Sequence, residues 1–165
     1  MIKKKVCMLG SFAVGKTSLV QQYVNSIFSE KYLTSIGVKI DQKSLIFNNI
    51  DITLLLWDIH GEDEFQKIPK SYLKGSAGYF LIMDGTRINT LSIIGEIKKM
   101  ADEVLGADTP FLVLVNKVDL SDRWEFSDEM EKEISARNWK ILKTSAKTGE
   151  GVEEAFQELT KLMMA

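Results

Sequence analysis

The chain has 165 residues, 45% of them hydrophobic, which is enough to close one sizeable core, and no Pro/Gly/Ser-rich stretch marks the start of a second domain. Lysine and arginine total 21 against 23 aspartate and glutamate; the net charge of -2 excludes a general basic field for gathering nucleic acid, so any phosphate binding must be local. A single cysteine, Cys7, excludes an internal disulfide, and its place in the apolar run Val6-Cys7-Met8-Leu9 reads as a buried structural thiol.

Lys3-Lys4-Lys5 precedes that first apolar run, which is too brief for a signal peptide or a membrane span. The triplet reads as the solvated end of a strand, and the expected setting is the cytoplasm. The strand Val6 to Leu9 runs directly into Gly10-Ser11-Phe12-Ala13-Val14-Gly15-Lys16-Thr17, after which Ser18-Leu19-Val20 and Tyr23-Val24 place apolar residues on one helical face. Strand, glycine-framed loop and helix in that order form the P-loop pattern. Small, flexible residues let backbone N–H groups wrap phosphates, Lys16 supplies a cation to the β and γ oxygens, and Thr17 offers a hydroxyl to Mg2+.

Further along, Asn48-Asn49 lies between Leu45-Ile46-Phe47 and Ile50-Asp51-Ile52, which predicts a tight hairpin and one antiparallel strand pair. The apolar runs Leu54 to Trp57, Tyr79 to Met83, Phe111 to Val115 and Trp139 to Leu142 alternate with stretches of helical period. That alternation predicts βαβ units and a mostly parallel sheet covered on both faces. Leu91, Ile94, Ile97, Ala101 and Val104 mark one helix, with Gly106 placed to end it, and Val152, Ala155, Phe156, Leu159 and Leu162 mark another.

Two polar motifs follow strands, at the sheet edge where open α/β folds bind ligands. Asn116-Lys117-Val118-Asp119 comes after Phe111 to Val115, and Thr144-Ser145-Ala146-Lys147 after Trp139 to Leu142. A carboxylate at Asp119 can accept both N1–H and the exocyclic amine of guanine, a pair that adenine lacks. A site built on such acceptors rejects the wrong base by about 10⁴-fold or more. Asn116 would tie neighbouring loops together, Lys117 would lay its stem along the base plane, and the Ala146 N–H would reach the guanine O6.

With these motifs in this order, the whole chain resembles a Ras superfamily small GTPase. The resemblance implies one G domain over residues 1–165: an α/β fold of the P-loop NTPase kind, with a six-stranded mixed sheet containing one antiparallel strand and about five helices. It implies GTP or GDP with Mg2+, held by Ala13 to Ser18, by Asn116, Lys117 and Asp119, and by Ser145, Ala146 and Lys147. Phe28 matches an aromatic that packs edge-on against guanine, and Ser35 aligns with a first-switch threonine that coordinates Mg2+ and senses the γ-phosphate. Asp58, in Trp57-Asp58-Ile59-His60-Gly61-Glu62, would hold Mg2+ through water, and the Gly61 N–H would bond the γ-phosphate.

Ile36-Gly37-Val38, Trp57-Asp58 and Ser71-Tyr72 look Rab-like, and Ile40, Trp57 and Tyr72 match an apolar effector patch, although core packing would equally explain the two aromatics. Ala13 to Thr17 resembles Rho, but the stretch from Asp119 to Ser145 is too short for Rho's extra helix. The implied partners are effectors, and an exchange factor or GTPase activator, meeting the switches near Ser35 and Glu62. A monomer is expected. Leu162-Met163-Met164-Ala165 has no cysteine to prenylate, so no membrane anchor is expected either.

Four departures from the family cluster where the γ-phosphate would lie. Phe12 replaces a small residue; its ring either crowds the attacking water and an incoming arginine finger, or points to solvent and does nothing. Glu62 replaces the water-orienting glutamine and sets negative charge beside phosphate. His60, the only histidine, stands where alanine is usual and either orders water or offsets charge as an imidazolium beside Glu62, or has no role. Ser35 in place of threonine removes a packing methyl. Lys16, His60 and Glu62 are thus the candidate catalytic residues, and slow intrinsic hydrolysis with a poor response to an arginine-finger activator is the expectation. A GTP-dependent binding module without useful hydrolysis is the alternative. An ATP-dependent kinase is disfavoured by Asn116 to Asp119.

Overall fold

A computed structural model describes residues 2–25, 37–60 and 68–165. Strand β1 (Ile2–Gly10) leads to helix α1 (Lys16–Asn25), and β2 (Gly37–Phe47) and β3 (Ile50–His60) form a hairpin. The short α2 (Lys70–Leu73) precedes β4 (Gly78–Asp84), α3 (Asn89–Leu105), β5 (Phe111–Asn116), α4 (Asp128–Ser135), β6 (Ile141–Lys143) and α5 (Val152–Met163). The strands lie in the order β2-β3-β1-β4-β5-β6; β2 and β3 are antiparallel and every other neighbouring pair is parallel. Among the described residues this is the six-stranded mixed sheet with one antiparallel pair and five α-helices that the resemblance implies.

The sheet is mostly parallel because its central strands are apolar on both faces. All seven residues of β4 are buried. In β1, Val6 and Met8 enter one core with α1 and α5, while Cys7 and Leu9 enter the other with α3. Tyr23 of α1 stacks on Phe156 of α5 with ring centroids 3.7 Å apart, and Phe80 of β4 meets the same Phe156 edge-on at 4.9 Å. The expected hairpin is present, with Asn48 and Asn49 both at positive φ, 49° and 65°. Helix α3 ends at Gly106, whose φ of 91° suits glycine and whose N–H bonds the Asp102 carbonyl.

Two sequence readings need correction. The last strand is Ile141–Lys143, not Trp139 to Leu142. Asn138 takes a φ of 62°, which makes a turn, and the Trp139 ring is drawn edge-on to Phe111 at 5.9 Å instead of entering the sheet. The lysine triplet lies within β1, and Lys5 is not a simply solvated end: its ammonium sits 3.5 Å over the Trp57 ring and donates to the Lys74 carbonyl at 2.8 Å. Trp57 and Tyr72 are half-buried, 6.3 Å apart, and Ile40 is exposed.

Because β1, β4, β5 and β6 run the same way, their carboxyl ends at Gly10, Asp84, Asn116 and Lys143 share one edge. The polar loops gather there. Phe28, Ser35, Gly61 and Glu62 lie outside the described residues; His60 is described only as the last residue of β3, in register with Gly37. Truncating Phe156 to alanine would empty the meeting point of α1, α5 and β4. We expect the free energy of unfolding in urea to fall by about 3–5 kcal/mol, with Phe156→Leu costing distinctly less.

Candidate functional site

Between β1 and α1 the backbone is held in place largely by its carbonyls. Lys16 Nζ donates to the carbonyls of Gly10 (3.0 Å) and Ser11 (2.8 Å), and Arg87 Nη2 donates to Phe12 O at 2.9 Å. Lys117 Nζ reaches Ala13 O at 2.9 Å, Asn116 Nδ2 reaches Val14 O at 2.9 Å, and the Leu19 N–H bonds Gly15 O at 2.9 Å. Carbonyls that take their donors from behind turn the peptide units so that N–H groups face the other way, as an anion-binding loop needs. Two positions require special backbone freedom: Ala13 sits at φ 60° and Gly15 at 104°, and a Cβ on Gly15 would strike the Asn116 amide nitrogen.

Lys16 is buried at the start of α1. Burial pushes its ammonium down from 10.5 to about 8; the Asp58 carboxylate opposes that push and Arg87 reinforces it. A buried cation in this state is favoured by an arriving anion. Beside it, Thr17 Oγ1 donates to Asp58 Oδ2 at 2.6 Å. Ser18 is buried in the first turn of α1.

At the other end of the loop, Asn116 connects three segments. Besides its bond to Val14, its Oδ1 accepts from Thr144 Oγ1 at 3.1 Å and from the Ala146 N–H at 3.3 Å. Asp119 Oδ1 accepts from Ser145 Oγ at 2.7 Å, and that hydroxyl in turn accepts the Thr148 N–H at 3.0 Å. The tie from Asn116 to Ala146 and the tie from Asp119 to Ser145 bring the two polar motifs against each other. Lys147 is exposed next to them. Phe12 is 45% exposed, so its ring stands on the surface of the loop.

Sequence reasoning missed Asp84 and Arg87. Asp84 closes β4 and is only 1% exposed, yet it organises the loops around it. Its Oδ1 accepts from the Thr86 N–H (2.8 Å) and Thr86 Oγ1 (2.6 Å), and its Oδ2 from Arg87 Nε (3.0 Å) and Lys117 Nζ (2.9 Å). Burial alone would raise this carboxyl, but the bonds from Thr86, Lys117 and Arg87 outweigh it and hold the group below its ordinary value. The available signal was the polar run Asp84-Gly85-Thr86-Arg87, which follows an all-buried strand at the same sheet edge as the other motifs.

A mixed sheet of this order, with a glycine-framed loop between its first strand and first helix, is a P-loop GTPase domain of the Ras-like kind. The chain belongs to the Ras family, whose model matches residues 5–165. It is similar to the Ras-related protein Rab7 of Drosophila melanogaster, 34% identical over 165 residues that cover 95% of this chain and 78% of that protein. It also resembles the Ras-related protein Rab7 of Pisum sativum and the Ras-related protein RABG3f of Arabidopsis thaliana, each 33% identical over 171 residues, covering 95% of this chain and 80% of theirs. Within the superfamily it is therefore Rab-like. Membership makes it a small GTP-binding switch protein of a class that hydrolyses GTP and works with effectors, exchange factors and GTPase activators. Among the described residues, no helix is long and apolar enough to cross a membrane.

Two outcomes test the geometry. Gly15→Ala would strain a left-handed position and displace Asn116, lowering the free energy of unfolding by about 1–3 kcal/mol, read by thermal or urea melting. Near pH 3.8, the ordinary value for Asp84, the native state binds fewer protons at this residue than the unfolded chain. Its stabilising contribution is therefore complete at higher pH and disappears as the pH falls through the lower folded value. In acid unfolding, the stability gap between wild type and Asp84→Asn should narrow below that point.

Proposed function

We propose that residues 1–165 act as one monomeric, cytoplasmic G domain that binds guanine nucleotide with Mg2+ and hydrolyses GTP slowly, staying long in its GTP-loaded form. The observation that carries the nucleotide reading is the convergence on one loop of Lys16, Asn116 and Lys117, which between them hold four of its carbonyls.

In this reading Ala13 to Ser18 cradle the phosphates, with Lys16 supplying positive charge that burial has left poorly solvated. Asp119, oriented by Ser145, accepts the guanine donors, and Ala146 and Lys147 flank the base. Phe28 packs on the base, and Ser35 and Gly61 sense the γ-phosphate from the two switches. The close pair of Thr17 and Asp58 oxygens suits a hard divalent cation, with Thr17 and Ser35 as direct ligands and Asp58 acting through water. Among the described residues no three carboxylate, histidine or cysteine side chains gather into a metal cluster, consistent with an ion that takes most of its oxygens from nucleotide and water. When bound, Mg2+ supplies charge neutralisation at the phosphates.

Slow turnover follows from the surroundings of the γ-phosphate. Phe12 exposes its ring from the loop whose backbone Arg87 fastens, where it would hinder an arginine finger. Glu62 offers water an acceptor without the amide donors of glutamine, and His60 stands close to it in sequence. The same features favour a second reading, a GTP-dependent binding module with negligible hydrolysis that is read by effectors through Ile40, Trp57 and Tyr72.

Single-turnover hydrolysis by GTP-loaded protein with Mg2+ tests the proposal. Wild type should be slow, and Phe12→Gly and Glu62→Gln should each speed it. A brisk wild-type rate that collapses in Glu62→Ala or His60→Ala would instead mean a rewired catalytic site. A rate at background in all variants would favour the binding module. Base recognition is checked separately by calorimetry: Asp119→Ala should weaken GDP binding by roughly 10²- to 10⁴-fold, because two hydrogen bonds to a charged acceptor are lost, with little change in the weak binding of ADP.

A further inference from the structure

Arg87 makes two contacts of different kinds. Its Nε donates to the buried Asp84 carboxylate at 3.0 Å, and its Nη2 donates to the Phe12 carbonyl at 2.9 Å. The same carboxylate oxygen accepts Lys117 Nζ at 2.9 Å, and that ammonium passes a second bond to the Ala13 carbonyl at 2.9 Å. One carboxylate thus holds two cations, each of which grips a neighbouring peptide of the phosphate loop.

Asp84 is itself locked. Its other oxygen is taken by the Thr86 N–H and hydroxyl, and its own N–H donates to Thr90 Oγ1 at 3.0 Å. Thr90, fully buried at the start of α3, donates that hydroxyl to the Arg87 carbonyl at 2.7 Å and so fixes the backbone of Arg87. The arrangement is closed: β4 supplies the anion, the loop entering α3 supplies one cation, and the loop after β5 supplies the other. Asp84 and Arg87 meet the phosphate loop through the Phe12 carbonyl and, by way of Lys117, the Ala13 carbonyl, so their joint effect on a bound nucleotide would pass through that loop.

We propose, resting on the nucleotide reading above, that Asp84 and Arg87 are positioning residues that brace the Phe12 end of the phosphate loop against the guanine-side loop and thereby slow nucleotide release. For nucleotide to leave, the phosphate loop must give up the conformation in which its carbonyls point away from the phosphates. Two charge-assisted bonds on consecutive carbonyls, sharing one buried counter-charge, oppose that change together. The Arg87 fork reaches the carboxylate and the carbonyl through two different nitrogens, Nε and Nη2, whereas a lysine at position 87 would have to meet both from one nitrogen, as Lys117 does from its own side.

The test is release of fluorescent N-methylanthraniloyl-GDP from the full chain with Mg2+, chased by excess GDP. It compares wild type with Arg87→Ala, Arg87→Lys, Asp84→Asn and the double variant, with phosphorus NMR of bound GDP and a melting curve for each. Phe156→Leu, destabilised in the core between α1, α5 and β4 with no hydrogen bond to the loop altered, is the control for general loosening. We expect Arg87→Ala to release nucleotide about 10-fold faster, Arg87→Lys to fall between it and wild type, and Asp84→Asn to be at least as fast as Arg87→Ala because it unpairs both cations. The double variant should add little to Asp84→Asn, and the phosphorus shifts should move in the Arg87 and Asp84 variants but not in Phe156→Leu. Release within about twofold of wild type in Arg87→Ala, or acceleration matched by Phe156→Leu with unmoved phosphorus shifts, overturns the proposal while the nucleotide reading stands. If wild type binds no guanine nucleotide, that reading falls and the brace falls with it.

Discussion

Peptide carbonyls cannot be left without donors inside a protein, and the loop between β1 and α1 meets that constraint in an uneconomical way that shapes everything around it. From Gly10 to Val14, every carbonyl takes its hydrogen bond from a side chain. Those side chains come from α1, from the loop after β4, and from the end of β5 and the loop that follows it. The loop's form is therefore a property of the whole sheet edge, and three of the four donors, Lys16, Arg87 and Lys117, bring positive charge to a place built for an anion.

Collecting cations in this way demands counter-charges, and two buried carboxylates supply them. Asp84 pairs with Arg87 and Lys117, while Asp58 raises the otherwise depressed Lys16 and holds the Thr17 hydroxyl. Each lies toward the carboxyl end of its strand, β4 and β3, where side chains of adjacent parallel strands converge. The rest of the fold serves this edge at a distance. The stacked Tyr23 and Phe156 hold α1 against α5, and the all-buried β4 keeps Asp84 in fixed register with Asn116 of β5.

The family and its variation meet at Phe12. At that residue this chain carries an exposed ring, and Arg87 donates to the same residue's carbonyl. In the proposed reading the ring would hinder approach to the γ-phosphate and the arginine would restrain the backbone beneath it, and both would favour long nucleotide occupancy over rapid turnover.

By itself the sequence determined the class. The spacing of Gly10, Gly15, Lys16 and Thr17, the Asn116 to Asp119 motif and the period of each apolar run depend on local chemistry, and local chemistry is written in adjacent residues. The Asn48-Asn49 hairpin and the glycine stop after α3 were legible for the same reason: a positive φ has few tolerant residue types. Contacts between distant segments were not legible. Nothing in the run Trp139 to Leu142 says that its tryptophan leaves the strand to meet Phe111, and nothing in Lys3-Lys4-Lys5 says that the last lysine caps Trp57. Asp84 and Arg87 fall in no motif of the sequence. Only the parallel register of β1, β4 and β5 brings Arg87 to within hydrogen-bond reach of Phe12, 75 residues away in the chain, because a hydrogen bond depends on where the sheet places its donors and not on how far apart they are in sequence.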